Sequence, residues 1–367
     1  MRTVFIRRAA LLLLSLALIA SSAAWGQKKK KKGDEEPVTQ TLPLLKDPPA
    51  AIEGQTQQLV FHVSPLSSKG LLSQQVRDGL KELFKSNHGA AILKLRAFVA
   101  GSGDLRRVQA IVSEVFTAHK LNLPALSTIQ AGGLPMEGAQ VVLESIAEDK
   151  RIVNPNGLAF FAGQQAKDVR QAVAQLEKAA AGGGVPADQV VRATCFLSSL
   201  DDVQTARRSL TSSFGNAAVN FVQTQRLAIE PLAECEAVGR PQSSPSGPVV
   251  LVNPPGLTQN PNYSQIALVG APKVVFSGGQ LAFGGQDQDI RLAFERLAKG
   301  IEPLGVTYKD VFWTSVYPST ASVANLVRAA RFDFVDKSRP PASTFLLFEG
   351  LPSLEATVEM EVIAAAR

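Results

Sequence analysis

The sequence predicts an α+β protein built from three tandem units, each running β-α-β-α-β-β. The first sign is a strand–turn–strand stretch, Asn122 to Lys150, which returns as Asn216 to Gly239 and again as Pro340 to Ala366. In the first copy LSTIQA alternates apolar and polar residues, GGLPMEG breaks the chain, and AQVVLESIA resumes a β-rich run. The second sign is the helical spacing of apolar residues before it: Leu105, Val108, Ile111, Val112, Val115 and Phe116 share one face. The third is a glutamate at one matching place in each final strand: Glu144, Glu236 and Glu361. A chain of 367 residues, 45% of them hydrophobic, has room for more than one core.

Taken in order, residues 1–26 read as a secretory signal peptide. Arg7 and Arg8 precede an apolar run, Ala9 to Ala20, and small residues Ser21 to Ala24 follow it. The run is shorter than the roughly 20 residues of a spanning helix, so the mature chain is expected in the periplasm or outside the cell, with no membrane span. Residues 27–57, with a lysine run and Pro37, Pro43, Pro48 and Pro49, read as a disordered linker. The first unit is assigned to 58–151. In it QLVFHVS is a strand, Leu71 to Phe84 an amphipathic helix, and AILKLRAFVA a strand. The second unit, 152–240, has LAFFAGQQ as a strand and Val169 to Ala181 as a helix stopped by Gly182, Gly183 and Gly184. VVRATCFLSSL is its next strand, and Asp201 and Asp202 open its second helix, where acidic residues suit the dipole. Residues 241–261, rich in Pro, Ser, Gly and Asn, read as a second linker. The third unit, 262–367, has KVVFSGGQLAF as a strand pair or strand plus turn. Helices over Ile290 to Ile301 and Ser322 to Phe334 flank the strand VFWTSVYPS, and the closing strands follow.

The formal net charge of +6 is misleading. Eight of the 38 basic residues lie before Gly33 with no acid among them, which leaves 30 basic against 32 acidic residues, a net of −2. The folded body is therefore not basic, and a nucleic-acid partner is not expected. Cys195 and Cys235, the only cysteines, each sit in a strand-like run. They can pair if those strands are neighbours in register, or stand as two buried thiols. His62, His88 and His119 lack metal-ligand spacing, and no phosphate loop or nucleophile motif is present, so neither metal nor cofactor is expected.

Phe116-Thr117-Ala118-His119 through Pro124-Ala125, then Gly133-Leu134-Pro135, then Glu144-Ser145-Ile146-Ala147, resemble the end of the RidA (YjgF/Rid) family. Its members typically read FxxHxxxxPARSxVxVxxLP and then IEIEAIA. Asn262-Tyr263-Ser264-Gln265 and Phe276-Ser277-Gly278-Gly279-Gln280 are similar to the family's GPYSQ and SGQ elements. The middle unit keeps Ala162-Gly163-Gln164 and Arg226-Leu227, and the likeness covers nearly all of 58–367. The resemblance implies a chorismate-mutase-like fold. Family members are homotrimers with clefts between subunits, so three copies in one chain imply an intramolecular pseudo-trimer, a monomer with internal three-fold pseudo-symmetry.

The family hydrolyses enamines and imines to 2-oxo acids and ammonia. The arginine of PARS grips the substrate carboxylate, and a glutamate of the last strand handles the attacking water. In this chain Leu126, Val219 and Ser343 hold the arginine's place, while Glu144, Glu236 and Glu361 remain as catalytic candidates or as hydrogen-bonded interface residues. Arg226 and Arg339 lie near the clamp position without occupying it. Tyr263, Ser277, Gly279 and Ser343 are the candidate ligand contacts. The expected protein lacks the standard deaminase activity and binds a small metabolite, a carboxylate among the candidates, in inter-unit clefts, or acts as an interaction scaffold. The alternative is an active but divergent enamine/imine deaminase with another anion anchor. The ribonuclease activity ascribed to some relatives does not suit the non-basic body.

Overall fold

Three mixed sheets turn their inner faces towards one another, and each packs its outer face on two helices. This is seen in the computed structural model, which describes residues 45–101, 103–226 and 232–367. The signal-peptide stretch and the lysine run lie outside the described residues. In chain order the first elements are β1 (Ala51–Gln55), β2 (Leu59–Val63), α1 (Leu72–Ser86), β3 (Ala91–Ala100), α2 (Arg106–Ala118), β4 (Ala125–Ala131) and β5 (Val141–Glu148). Then come β6 (Leu158–Ala166), α3 (Val169–Gly182), β7 (Val190–Leu197), α4 (Val203–Ser213), β8 (Ala218–Gln223) and β9 (Ala233–Gly239). The last part holds β10 (Val249–Val252), β11 (Ile266–Val269), β12 (Lys273–Ser277), β13 (Gln280–Phe283), α5 (Asp287–Ile301), β14 (Val311–Pro318), α6 (Ala321–Ala330), β15 (Ala342–Phe345) and β16 (Ala356–Ala366). Among the described residues no helix is long and apolar enough to cross a membrane.

The first sheet has the order β2-β5-β3-β4 and the second β10-β11-β6-β9-β7-β8; the third runs β1-β12-β16-β14-β15, with β13 also pairing along β16. Each contains one parallel pair, β3 with β4, β7 with β8 and β14 with β15, and a helix makes each crossover. Local signals set the helices. Leu72, Val76, Leu80 and Leu83 form the buried stripe of α1. The Asp168 side chain accepts from Gln171 N at the start of α3, and Thr320 accepts from Val323 N at the start of α6. Gly184, at φ +66°, takes the left-handed conformation just past α3. The sheets are covered on both faces, so β9 and β14 are buried along their whole length and read as continuous rather than alternating patterns.

The inner faces meet in layers. One apolar layer combines Phe61 and Leu93 of the first sheet, Phe160 and Val238 of the second, and Phe276 and Trp313 of the third. Another combines Phe98, Phe196, Tyr317 and Phe348. The strand registers show three matching rows between and within them: Lys94, Arg192 and Trp313; Arg96, Thr194 and Ser315; Phe98, Phe196 and Tyr317. The middle row faces Glu144, Glu236 and Glu361.

The sheets do not follow the unit boundaries read from the sequence. β1, placed in the expected linker 27–57, pairs with β12 over five residues of the third sheet. β10, placed in the expected linker 241–261, and β11 both join the second sheet. The stretch before β6 leans on the first sheet: Val153 N and Asn154 N donate to Gln57 O, and Asn154 Nδ2 donates to Thr56 O and Leu59 O. Two sheets thus take strands from outside their own unit, β1 in the third and β10 with β11 in the second, while the stretch before β6 bonds to the turn that leads into β2. The two short strands escaped the sequence reading because their flanks are Pro- and Gly-rich and their pairing partners lie far along the chain. KVVFSGGQLAF resolves into two strands, β12 and β13, that share β16 on either side of Gly278-Gly279. The expected helix over Ser322 to Phe334 ends at Ala330 and tightens into a 3₁₀ turn, Arg331–Asp333.

Candidate functional site

Glu144, Glu236 and Glu361, read as catalytic candidates or as hydrogen-bonded interface residues, meet in one closed cluster between the three sheets. They are 2%, 0% and 7% exposed. Arg96 is the hub. Its Nε donates to Glu144 Oε2 at 2.8 Å, Nη2 lies 2.5 Å from the same oxygen and 2.6 Å from Glu236 Oε1, and Nη1 donates to Tyr317 OH at 2.8 Å. Arg192 Nη2 reaches Glu236 Oε1 at 3.1 Å, and Lys94 Nζ reaches Glu361 Oε2 at 2.6 Å. Three carboxylates therefore stand against three cations, which is the condition under which buried charge is tolerated.

The remaining lone pairs are filled in rotation. Glu144 of the first sheet accepts from Thr194 Oγ1 (2.6 Å) and Asn220 Nδ2 (2.8 Å) of the second. Glu236 of the second accepts from Thr344 Oγ1 (2.5 Å) of the third, and Glu361 of the third accepts from Ser127 Oγ of the first. Burial alone would push the Glu144 and Glu361 carboxyls up. For Glu144 the guanidinium groups of Arg96 and Arg192 win and hold it below its ordinary value; for Glu361, Lys94 and Arg96 do the same. The space left beside the cluster is about 30 Å³, room for roughly one water.

Two further glutamates stand two residues earlier on the same strand faces, Glu234 and Glu359, and they face outward from the hub. Gly163 and Gly279 make room for them: a Cβ there would stand 1.9 Å from Glu234 Oε1 and 2.3 Å from Glu359 Oε1. Burial, and then the neighbouring Glu236 charge, push the Glu234 carboxyl up to about 8, so it is neutral at pH 7. Burial and Glu361 push Glu359 up as well, and its Oε1 has no hydrogen-bond partner.

Each of these glutamates borders an open cleft. Between the second and third sheets, Tyr263, Ser343, Glu234, Arg328 and Arg331 line a cavity of about 160 Å³. Arg331 is 7% exposed, and its Nη2 is buried without a partner. Burial and the nearby Arg328 lower its pKa to about 10. Burial and Glu234 raise that of Tyr263. Ser343 accepts a hydrogen bond from Thr314 Oγ1 at 2.9 Å. Between the first and third sheets, a wider cavity of about 430 Å³ is lined by Leu126, Thr128, Leu281, Glu359 and the Leu45–Asp47 segment. Among the described residues its one arginine, Arg106, is largely exposed and paired with Asp104.

Of the expected ligand contacts, Tyr263 and Ser343 share the narrow cleft and Gly279 borders the wide one. Gly279 N is not free for a ligand, because it donates to Leu126 O at 2.9 Å. Ser277 is buried in the fold: its Oγ accepts from Val362 N and its carbonyl from Lys94 Nζ. Arg339 turns away from the clamp position and donates to Val249 O. Cys195 and Cys235 stand opposite each other on β7 and β9 and form a disulfide. Among the described residues no group of His, Cys, Asp or Glu is arranged to hold a metal.

The sequence reading passed over Glu234 and Glu359, although AECEAV and TVEMEV each carry two glutamates on one strand face opposite a glycine-containing bend. It also passed over Lys94, Arg96 and Arg192, charged residues inside runs that read as core strands. Arg331 had no such signal.

No family model matches the chain. No curated protein matches it either. Solved structures similar to parts of it include a Rid-family protein of unknown function from Yersinia pestis, with 22% identity over 33% of this chain and 100% of that one, TM-score 0.31. A YjgF-family member from Mycobacterium tuberculosis shares 23% identity over 25% of this chain and 79% of that one, TM-score 0.24. Another from Neisseria meningitidis shares 17% over 30% and 91%, TM-score 0.25.

Proposed function

We propose that this chain is a RidA-like protein in which three units of one polypeptide form the body that family members build from three subunits. In this reading it binds a small molecule in its open inter-unit clefts and does not carry out the standard enamine or imine deamination. The observation that carries the reading is the closed hub. Glu144, Glu236 and Glu361, the closing-strand glutamates carried over as catalytic candidates, are spent on Arg96, Arg192 and Lys94, with about 30 Å³ of space beside them. The clamp position, filled by Leu126, Val219 and Ser343, offers no guanidinium to a substrate carboxylate. The signal-peptide pattern supports export, and the buried Cys195–Cys235 disulfide supports an oxidising compartment.

The test is to generate 2-aminoacrylate in situ and follow ammonia release. Release no faster than the uncatalysed background is expected. Turnover that scales with protein concentration would sink the pseudo-enzyme reading in favour of a divergent deaminase. Light scattering after gel filtration is expected to give the mass of one chain, and a mass of three chains would count against the internal trimer.

A further inference from the structure

We infer that the cleft between the second and third sheets is a binding site for a small oxyanion, anchored by Arg331 and walled by Tyr263 and Glu234. The inference rests on the cleft-binding reading above and assigns the site and its chemistry. The anchor comes from the 3₁₀ turn after α6, on a different element from the strand position that Ser343 fills.

Three observations point the same way. A guanidinium buried to 7% exposure costs several kcal/mol unless an anion or full hydrogen bonding compensates it. Among the described residues neither Arg331 nor Arg328 has a carboxylate within ion-pair distance, and Arg331 Nη2 has no hydrogen-bond partner at all. The cleft therefore holds two positive charges and no counter-charge. The one acidic residue on its wall does not supply one, because burial and Glu236 keep Glu234 protonated at neutral pH. A protonated carboxyl and a phenol are both donors to an oxyanion. The cavity of about 160 Å³ has the volume of roughly five waters, which suits a small carboxylate or inorganic phosphate and excludes a nucleotide.

The arrangement makes binding depend on pH in a stated direction. The groups facing Glu234 are Glu236 on its own strand, Tyr263 on the segment before β11, and Arg328 and Arg331 across the cleft. As pH rises through about 8, Glu234 ionises and places a negative charge beside the bound anion. With only the protonated form competent, affinity falls about tenfold between pH 7 and pH 9.

The experiment is calorimetric titration of the full chain with acetate, glycolate and inorganic phosphate at pH 7 and pH 9. Saturable binding of at least one probe is expected at pH 7. The probe that saturates distinguishes a carboxylate source from a phosphate source. Arg331→Gln is expected to weaken it by about 30-fold or more, the loss of one charge-assisted anchor. Glu234→Gln keeps a donor that cannot ionise and is expected to abolish the fall in affinity between pH 7 and pH 9; this pH profile keeps the test decisive should Arg331→Gln fold poorly, and a fall that persists in the variant overturns the role of Glu234. No binding by any probe overturns the oxyanion site. Binding that ignores both substitutions but is lost when Leu126→Trp fills the wide cleft overturns this anchor and leaves the cleft-binding reading standing.

Discussion

Glu236 and Glu234 sit two residues apart on one strand face, and their surroundings treat them in opposite ways. Glu236 lies in the hub with two guanidinium groups and a threonine hydroxyl within 3.1 Å. Glu234 has no cation of its own and keeps its proton to about pH 8. Glu361 and Glu359 repeat the contrast on the third sheet, one held down by Lys94 and Arg96 against the effect of burial, the other pushed up by burial. On the first sheet the hub position is Glu144, but the outer position is Val142. All four carboxyls are buried, so burial does not decide the charge. The counter-charge does: Glu236 and Glu361 have cations within 3.1 Å, and among the described residues Glu234 and Glu359 have none within ion-pair distance.

Four substitutions probe that difference. Arg96→Met removes the cation that two hub carboxylates share, and should cost at least about 5 kcal/mol in urea unfolding, since it strands buried charge. A loss under about 1 kcal/mol would show that the hub is not an ionic unit. Glu234→Gln acts on the opposite region and with the opposite sign. A carboxyl with a folded pKa near 8 and an ordinary value of 4.5 adds stability fully present below pH 4.5 and lost as pH rises through 8. The wild-type chain should therefore lose stability between pH 5 and pH 8.5. The glutamine variant should flatten that slope and be more stable at pH 8.5 by on the order of 3–4 kcal/mol. Wild-type stability that rises over this range would refute the assignment. Thr344→Val withdraws one hydroxyl from Glu236 and should cost about 2 kcal/mol by thermal or chemical unfolding. Ser343→Ala, one residue away but facing the cleft, should cost about 1 kcal/mol or less. Equal losses for these neighbours would erase the distinction between hub and cleft.

Much of the fold was legible. Apolar spacing located α1 and α2, the glycine run stopped α3, and the repeated strand–turn–strand located β4 and β5, β8 and β9, and β15 and β16, though another strand lies between the members of each pair. These are local signals. What stayed hidden depends on contacts between distant segments. VVLV becomes β10 only because Ile266–Val269 lies beside it, and AIEGQ becomes β1 only against β12, more than 200 residues on. The matching of Glu144, Glu236 and Glu361 was visible by superposing three stretches of sequence, but their convergence was not. Nothing local in Arg96 says that it will touch two of them. Tyr263 and Ser343 were found as cleft residues because they lie in motif positions. Arg331 sits at the end of an ordinary amphipathic helix, and only the assembled cleft reveals it.

The hand-over of lead-in segments bears on what happens if the chain is divided. The third unit cut out as 262–367 would carry the β12 edge with no β1 to cover it and β11 with no β6 to join. Such fragments satisfy each other only by swapping segments between molecules. Three copies can close into a ring, and without closure the exchange runs on as an open polymer. Covalent continuity in the full chain holds these pairings within one molecule. It also frees the three matching positions from being identical, which allows Leu126, Val219 and Ser343 to differ.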